Sequence, residues 1–148
     1  MTRTTPLVPF HLAIPVDDIE AAREFYGTVL GFARGRSDTR WTDWNFRGHQ
    51  LVTHQVGDGT ATRRDGVAGT NPVDGHQVPV PHFGLVLSVP EFKELAARLE
   101  QAGTDFVIEP YVRFEGEPGE QWTMFFLDPA GNALEFKAFA DLEQLFAV

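Results

Sequence analysis

Apolar positions recur along the chain with two alternating periods. From Val8 to Ile14, Phe10, Leu12 and Ile14 alternate with His11 and Ala13, the period-two pattern of a half-buried strand. Val16-Asp17-Asp18 closes that strand and offers a helix N-cap. Ile19, Ala22, Phe25, Tyr26, Val29 and Leu30 then fall at helical spacing, and Gly31 follows as a C-cap. Short β-like runs cover 32–40 and 41–47, Gly48 marks a turn, and 50–56 reads as a further strand. The rhythm breaks over residues 57–79, where five glycines and two prolines interrupt any period. That stretch predicts a long loop, neither strand nor helix, serving as a lid or as a disordered connector.

The pattern restarts at Val80. A strand is predicted over 80–87, and a helix carrying Phe92, Leu95, Ala96 and Leu99 ends near Gly103. Strands follow over 106–114 (interrupted at Pro110), 122–127 and 133–139. The last two are joined by Asp128-Pro129-Ala130-Gly131-Asn132, a run dense in turn formers. The tail, 141–148, packs as a short helix. The second half thus repeats the β-α-β-β-β order of the first. His11-Leu12-Ala13-Ile14 matches His82-Phe83-Gly84-Leu85 at an offset of 71, Gly31 matches Gly103 at 72, and Gly48 matches Gly131 at 83. One α+β domain over 1–148 is expected, with modules at about 8–56 and 80–139 and the loop 57–79 between them.

Composition narrows the function. With 43% hydrophobic residues, including 13 Phe and 3 Trp, the 148-residue chain can bury a core. A formal charge of −9 repels phosphate backbones and anionic headgroups, which argues against nucleic-acid and membrane-surface partners. The absence of cysteine removes thiolate chemistry and suits a reducing cytoplasm. Neither a signal-peptide core nor an apolar run of membrane-spanning length is present.

The alternation also sorts side chains by face. If Phe10, Leu12 and Ile14 pack on the helix, His11 and Ala13 point the other way. By the same reading His82 and Gly84 oppose Phe83 and Leu85, and Glu135 opposes Leu134 and Phe136. A histidine on a strand more often makes an ordinary hydrogen bond than ligates a metal, and a lone glutamate is more often a solvated carboxylate. The case for His11, His82 and Glu135 rests on the equivalent places of the two histidines in the repeat. Two imidazoles and one carboxylate suit a divalent metal with open coordination positions, Fe(II) foremost. His54 shares a face with Gln50 and Val52, and as an imidazole near neutral pKa is a candidate general acid/base, or simply an orienting residue. Tyr111 and Arg113 are candidates to orient an anionic substrate. His49 falls on the packed or edge side, and His76 lies on the loop, within reach of a cavity if the loop folds over it. Trp41, Trp44, Phe46, Trp122, Phe125 and Phe126 are expected in the sheet core, or in part as the lining of an aromatic-substrate pocket.

Phe10-His11-Leu12-Ala13-Ile14-Pro15-Val16-Asp17-Asp18, Ala21-Ala22-Arg23-Glu24-Phe25-Tyr26 through Leu30-Gly31-Phe32, Pro81-His82-Phe83-Gly84, and Phe126-Leu127-Asp128-Pro129-Ala130-Gly131-Asn132-Ala133-Leu134-Glu135-Phe136 together resemble the vicinal oxygen chelate superfamily. This superfamily includes glyoxalase I, type I extradiol dioxygenases, fosfomycin-resistance enzymes and bleomycin-resistance proteins. The resemblance implies paired βαβββ modules with curved sheets around a metal, and a homodimer in which ligands come from one chain or, where modules swap, from two. It maps His11, His82 and Glu135 onto ligand positions. The fourth ligand position of glyoxalase I lands on Val52, which cannot ligate, so the remaining His/His/Glu set is that of the extradiol dioxygenases. Their Tyr position holds Phe125, however, and no histidine follows His82. The expected function is a metal-dependent, dioxygenase-like oxidoreductase acting on a small, catechol-like substrate, with Fe(II) favoured over Mn, Ni or Zn. The alternatives are a glyoxalase- or isomerase-type lyase and a metal-free antibiotic-binding protein.

Overall fold

The computed structural model describes residues 6–57 and 68–148 and divides into two compact units, Met1–Ala61 and Thr62–Val148. Each carries one four-stranded mixed sheet with a helix on one face, so the α+β reading with two βαβββ modules holds.

In the first unit β1 (His11–Val16) runs parallel to β4 (His49–Gln55), and β3 (Trp41–Phe46) and β2 (Ala33–Asp38) complete the order β1-β4-β3-β2. Leu12, Ile14 and Val16 turn toward the helix, with Ile14 and Val16 buried. Phe10, expected in the core, precedes the strand and is 63% exposed, because the ladder starts one residue later, at His11. α1 (Ile19–Arg23) starts on the carboxylate of Asp18, which accepts the backbone N–H groups of Glu20 and Ala21 at 2.9 and 3.2 Å. The predicted single helix passes into a π-turn over Glu24–Val29 and ends before Gly31, whose φ is 79°. Close packing accompanies that π-turn: Tyr26 meets Trp44 at a ring separation of 6.1 Å, and a Cβ on Gly27 would lie 3.2 Å from the Trp44 ring. Inside the core Trp44 Nε1 donates to Thr53 Oγ1 at 3.1 Å, which satisfies the indole N–H where water cannot reach it.

The second unit repeats this plan with β7 (Val86–Leu87), α2 (Val89–Gln101), β8 (Phe106–Arg113), β9 (Gln121–Leu127) and β10 (Ala133–Phe139) in the order β7-β10-β9-β8. Ser88 caps α2: its Oγ accepts Glu91 N–H at 3.3 Å and donates to Glu91 Oε1 at 2.8 Å. Phe92, Leu95 and Leu99 make the buried stripe, facing a sheet side that includes Met124, Phe126, Leu134 and Phe136. The strand predicted over 80–87 is broken. Only Val86–Leu87 is regular, and Phe83 makes a single parallel bridge to Leu134. The repeat register nevertheless survives, since Leu12 pairs with Leu51 and Phe83 with Leu134. The turn glycines Gly48 and Gly131 share φ 91°, which only glycine adopts without strain.

The Asp128 turn sets where β10 begins. Its buried carboxylate accepts the backbone N–H groups of Ala130 and Asn132 at 3.0 and 2.8 Å and the Asn132 side-chain amide at 2.8 Å. Asp128→Ala strands these donors in a buried turn, so we expect a loss of about 3 kcal/mol, read as a lower urea midpoint.

The reading of 57–79 as loop is corrected over its second part. β5 (Gly69–Val73) and β6 (His76–Val80) form a two-stranded hairpin, while residues 58–67 lie outside the described residues. Asp74 and Gly75 join the strands with φ 51° and 77°. A two-residue turn with positive φ at both positions matches the twist of the flanking strands, and Asp-Gly is among the pairs that adopt it best. Glycine and proline density masked this turn signal. No helix among the described residues is long and apolar enough to cross a membrane.

Candidate functional site

Each sheet has one face on its helix and one turned away, and the predicted site residues occupy the latter. In the first unit, rows across β1, β4 and β3 place His11 beside Gln50 and Asn45, Ala13 beside Val52 and Asp43, and Pro15 beside His54 and Trp41. His11 Nδ1 lies 2.8 Å from Gln50 Oε1. Because the amide oxygen only accepts, Nδ1 is the donor in this contact and Nε2 is left facing away from Gln50. His54 is exposed and sits four residues along β4 from Gln50, about 13 Å along the strand. His49 faces a structural task instead, since its Nδ1 accepts the Phe10 backbone N–H at 2.8 Å.

In the second unit the chain leaves β6 through the cis Val80–Pro81 peptide and presents His82 against the first half of β10. His82 Nδ1 is 2.6 Å from the Pro79 carbonyl, which again fixes the proton on Nδ1. Its Nε2 faces Glu135 Oε2 at 3.0 Å. A lone pair and a carboxylate oxygen at that distance need a positive charge between them, either a proton on Nε2 or a shared cation. The other Glu135 oxygen is held as well: Thr123 Oγ1 donates to Oε1 at 2.8 Å, and Lys137 Nζ stands 3.6 Å away. Side-chain exposures of 28% for His82 and 12% for Glu135 leave both within reach of a ligand but largely shielded. The Phe125 ring supports the imidazole edge-on at 5.0 Å.

Sequence reasoning paired Val52 with Glu135 by counting from the turn glycines, and the register agrees. Val52 lies opposite Ala13, two past His11, as Glu135 abuts Gly84, two past His82. A Cβ on Gly84 would come within 1.6 Å of the Glu135 carbonyl oxygen. Small size at that position serves backbone contact with the strand that carries Glu135.

Gln50, the Pro79 carbonyl, Thr123 and Asp74 were not singled out from sequence. Thr123 was legible in principle, because the tight turn at Asp128 fixes the β9–β10 register that pairs Phe125 with Glu135. The hairpin lies on the same side of the second sheet. Val78 of β6 packs with Ile108, Phe125 and Tyr111, and His76 stacks on Tyr111 at 5.0 Å, so His76 does reach this face. At the hairpin tip, Asp74 Oδ2 accepts from Arg113 Nε at 2.6 Å and from Tyr111 Oη at 3.2 Å. Burial pushes the Tyr111 hydroxyl above its ordinary pKa, and the Asp74 carboxylate adds to that shift. Among the described residues, no three His, Cys, Asp or Glu side chains are grouped so as to hold a metal ion.

The fold has parallels among known proteins. A family model for the glyoxalase/bleomycin resistance protein/dioxygenase superfamily matches residues 9–136, and the chain belongs to that superfamily. A glyoxalase/bleomycin resistance protein/dioxygenase from Alicyclobacillus acidocaldarius is 32% identical, with 96% of this chain and 98% of that one aligned at a TM-score of 0.70. At lower identity the fold alone is shared. A Nocardioides protein of the same description is 18% identical over 99% of this chain and 93% of its own (TM-score 0.62). A genomically encoded fosfomycin resistance protein from Listeria monocytogenes is 15% identical over 95% and 98% (TM-score 0.62). Comparison with curated proteins gives no match. Members of the superfamily commonly use divalent metals and bind small molecules.

Proposed function

We propose that the protein is a metal-dependent enzyme whose ligands are His11, His82 and Glu135. The observation that carries this reading is the His82–Glu135 pair, with imidazole Nε2 and carboxylate oxygen 3.0 Å apart. Each partner is tied at its far side by Pro79 or Thr123. A histidine with Nδ1 bonded to an oxygen acceptor and a carboxylate with one oxygen held is the outer-sphere arrangement that orients metal ligands. His11, tied through Gln50, has the same preparation. The donor set of two nitrogens and one carboxylate therefore fits a divalent ion, Fe(II) in particular.

When bound, such an ion supplies a Lewis acid for a substrate's vicinal oxygens and, as Fe(II), a centre for O₂ chemistry. The protein's own residues do the rest. Phe125, buried with Val78 and Ile108 beneath Tyr111, holds the His82 imidazole edge-on and so fixes where Nε2 points. His54 is the imidazole we assign to proton transfer, since it shares its strand face with Val52 and Gln50. Valine at the fourth ligand position favours open coordination sites over a glyoxalase-type four-ligand shell, so dioxygenase-like chemistry on a small catechol-like substrate ranks above isomerase or lyase chemistry. We further propose a cytoplasmic homodimer.

Elemental analysis of protein purified without chelator, followed by oxygen uptake with a catechol panel after Fe(II) loading, tests the reading. We expect about one metal per chain and catechol-dependent uptake. Metal without uptake moves the assignment to isomerase or lyase chemistry. Failure to retain any divalent metal overturns the enzyme reading in favour of an antibiotic-binding protein.

A further inference from the structure

We propose that Tyr111 and Arg113 form a receptor for a carboxylate on the substrate, and that Asp74 at the tip of the β5–β6 hairpin occupies it in the free protein. The proposal deepens the reading above, since it assigns the far end of the same substrate.

Tyr111 and Arg113 stand two residues apart on β8 and share the sheet face turned away from α2. Their donors converge on one oxygen, Asp74 Oδ2. A phenol and a guanidinium aimed at a single carboxylate oxygen make a complete anion site. The carboxylate that fills it comes from a two-residue turn and not from a neighbouring strand of the sheet. The Asp74 and Arg113 side chains keep 35% and 32% of their exposure, so the contact is open to exchange with a dissolved anion.

Position sets the chemistry of that anion. Tyr111 lies across from Thr123, and Thr123 holds Glu135, so receptor and candidate metal ligand belong to one surface. Their backbones are about 12 Å apart, two strand spacings and one two-residue step, and the two long side chains reach into that gap. Phe125 lies between them: it pairs with Glu135, packs with Tyr111 and touches His82. Phe125 itself is buried beneath Val78 and Ile108, so a molecule that fits passes over this packed layer, with vicinal oxygens at one end and a carboxylate at the other. Lys137, opposite Thr123 on the far side, offsets the repulsion that Glu135 exerts on an incoming anion.

Benzoate titrated into metal-free protein and followed by amide shifts is the test, because it carries the ring and the carboxylate without the chelating oxygens. Asp74→Asn keeps a residue that tolerates the turn's positive φ, and its fold is checked from the same spectra. We expect benzoate to bind about threefold to fivefold more tightly to Asp74→Asn than to the parent, the range set by displacing a partly exposed ion pair. Shifts should centre on Gly75, His76 and Tyr111, Arg113→Gln should abolish binding, and neutral benzamide should not bind. Unchanged affinity in Asp74→Asn, binding that survives Arg113→Gln, or no binding to either protein overturns the receptor. Since no metal is present, these outcomes are independent of whether the protein retains metal in the elemental analysis.

Discussion

Gly84→Ala is expected to destabilise the second unit by at least about 3 kcal/mol and to abolish metal retention in the same protein. The added methyl carbon would meet the Glu135 carbonyl oxygen at 1.6 Å and its carbonyl carbon at 2.6 Å. Both are backbone atoms, so no rotamer change relieves the clash. Relief requires β10 to move away from the segment carrying His82, which breaks the bond from Glu135 N–H to the Phe83 carbonyl at 2.8 Å and that from Lys137 N–H to the Leu85 carbonyl at 3.0 Å. The same displacement separates His82 from Glu135, so stability and metal affinity should fall together. The matching position in the first unit behaves differently. Ala13 already carries a Cβ within a regular parallel ladder opposite Val52. Ala13→Gly should therefore cost only about 0.5–1 kcal/mol from added backbone freedom. Urea denaturation of the two variants, with metal content measured on each, checks the contrast. A Gly84→Ala protein as stable as its parent would mean that the strand carrying Glu135 is not held against Gly84.

That asymmetry also marks how far the chain's pattern could be read. Turn residues, helix caps and apolar runs locate β3, β4, β9, β10 and α2 closely, because each element carries a buried row of side chains, although β3, β4 and β9 bury residues on both faces. The repeat was legible for the same reason, and register bears out the offsets of 71 and 83 at Leu12–Leu51 and Phe83–Leu134. Alternation failed where pairing is thin. His82 lies in a stretch held by a single bridge and a few hydrogen bonds, so an apolar run there does not make a regular strand. Phe10 looked like core by alternation, yet a strand's first apolar residue is buried only if the sheet extends over it. The hairpin was hidden by composition, although Asp74-Gly75 is a specific turn signal. For the site, residue type pointed to His11, His82 and Glu135. The partners that orient them (Gln50, the Pro79 carbonyl and Thr123) depend on cross-strand register or on a backbone atom, and neither has a sequence signature. Asp74 belongs with these, since its role comes from the fold of the hairpin onto Tyr111 and Arg113.

His82→Ala should lower divalent-metal affinity by a factor of about 100 or more, whereas His49→Ala should leave it within about twofold of the parent. The pair of variants separates ligation from the general presence of imidazole. His82 directs Nε2 at Glu135 with its other nitrogen already committed to the Pro79 carbonyl, so its removal takes away a donor and leaves the Glu135 Oε2 without its 3.0 Å partner. His49 spends Nδ1 on the Phe10 backbone N–H in the first unit, and its loss is expected to loosen the entry to β1 and lower stability by about 1 kcal/mol. Isothermal titration with Mn(II) and with Fe(II) under anaerobic conditions measures both affinities, and thermal melts of the metal-free proteins measure the structural cost separately. Equal metal affinity in the two variants would remove His82 from the ligand set. The 3.0 Å contact would then be an imidazolium–carboxylate pair closed by a proton, the other charge that can stand between those two atoms.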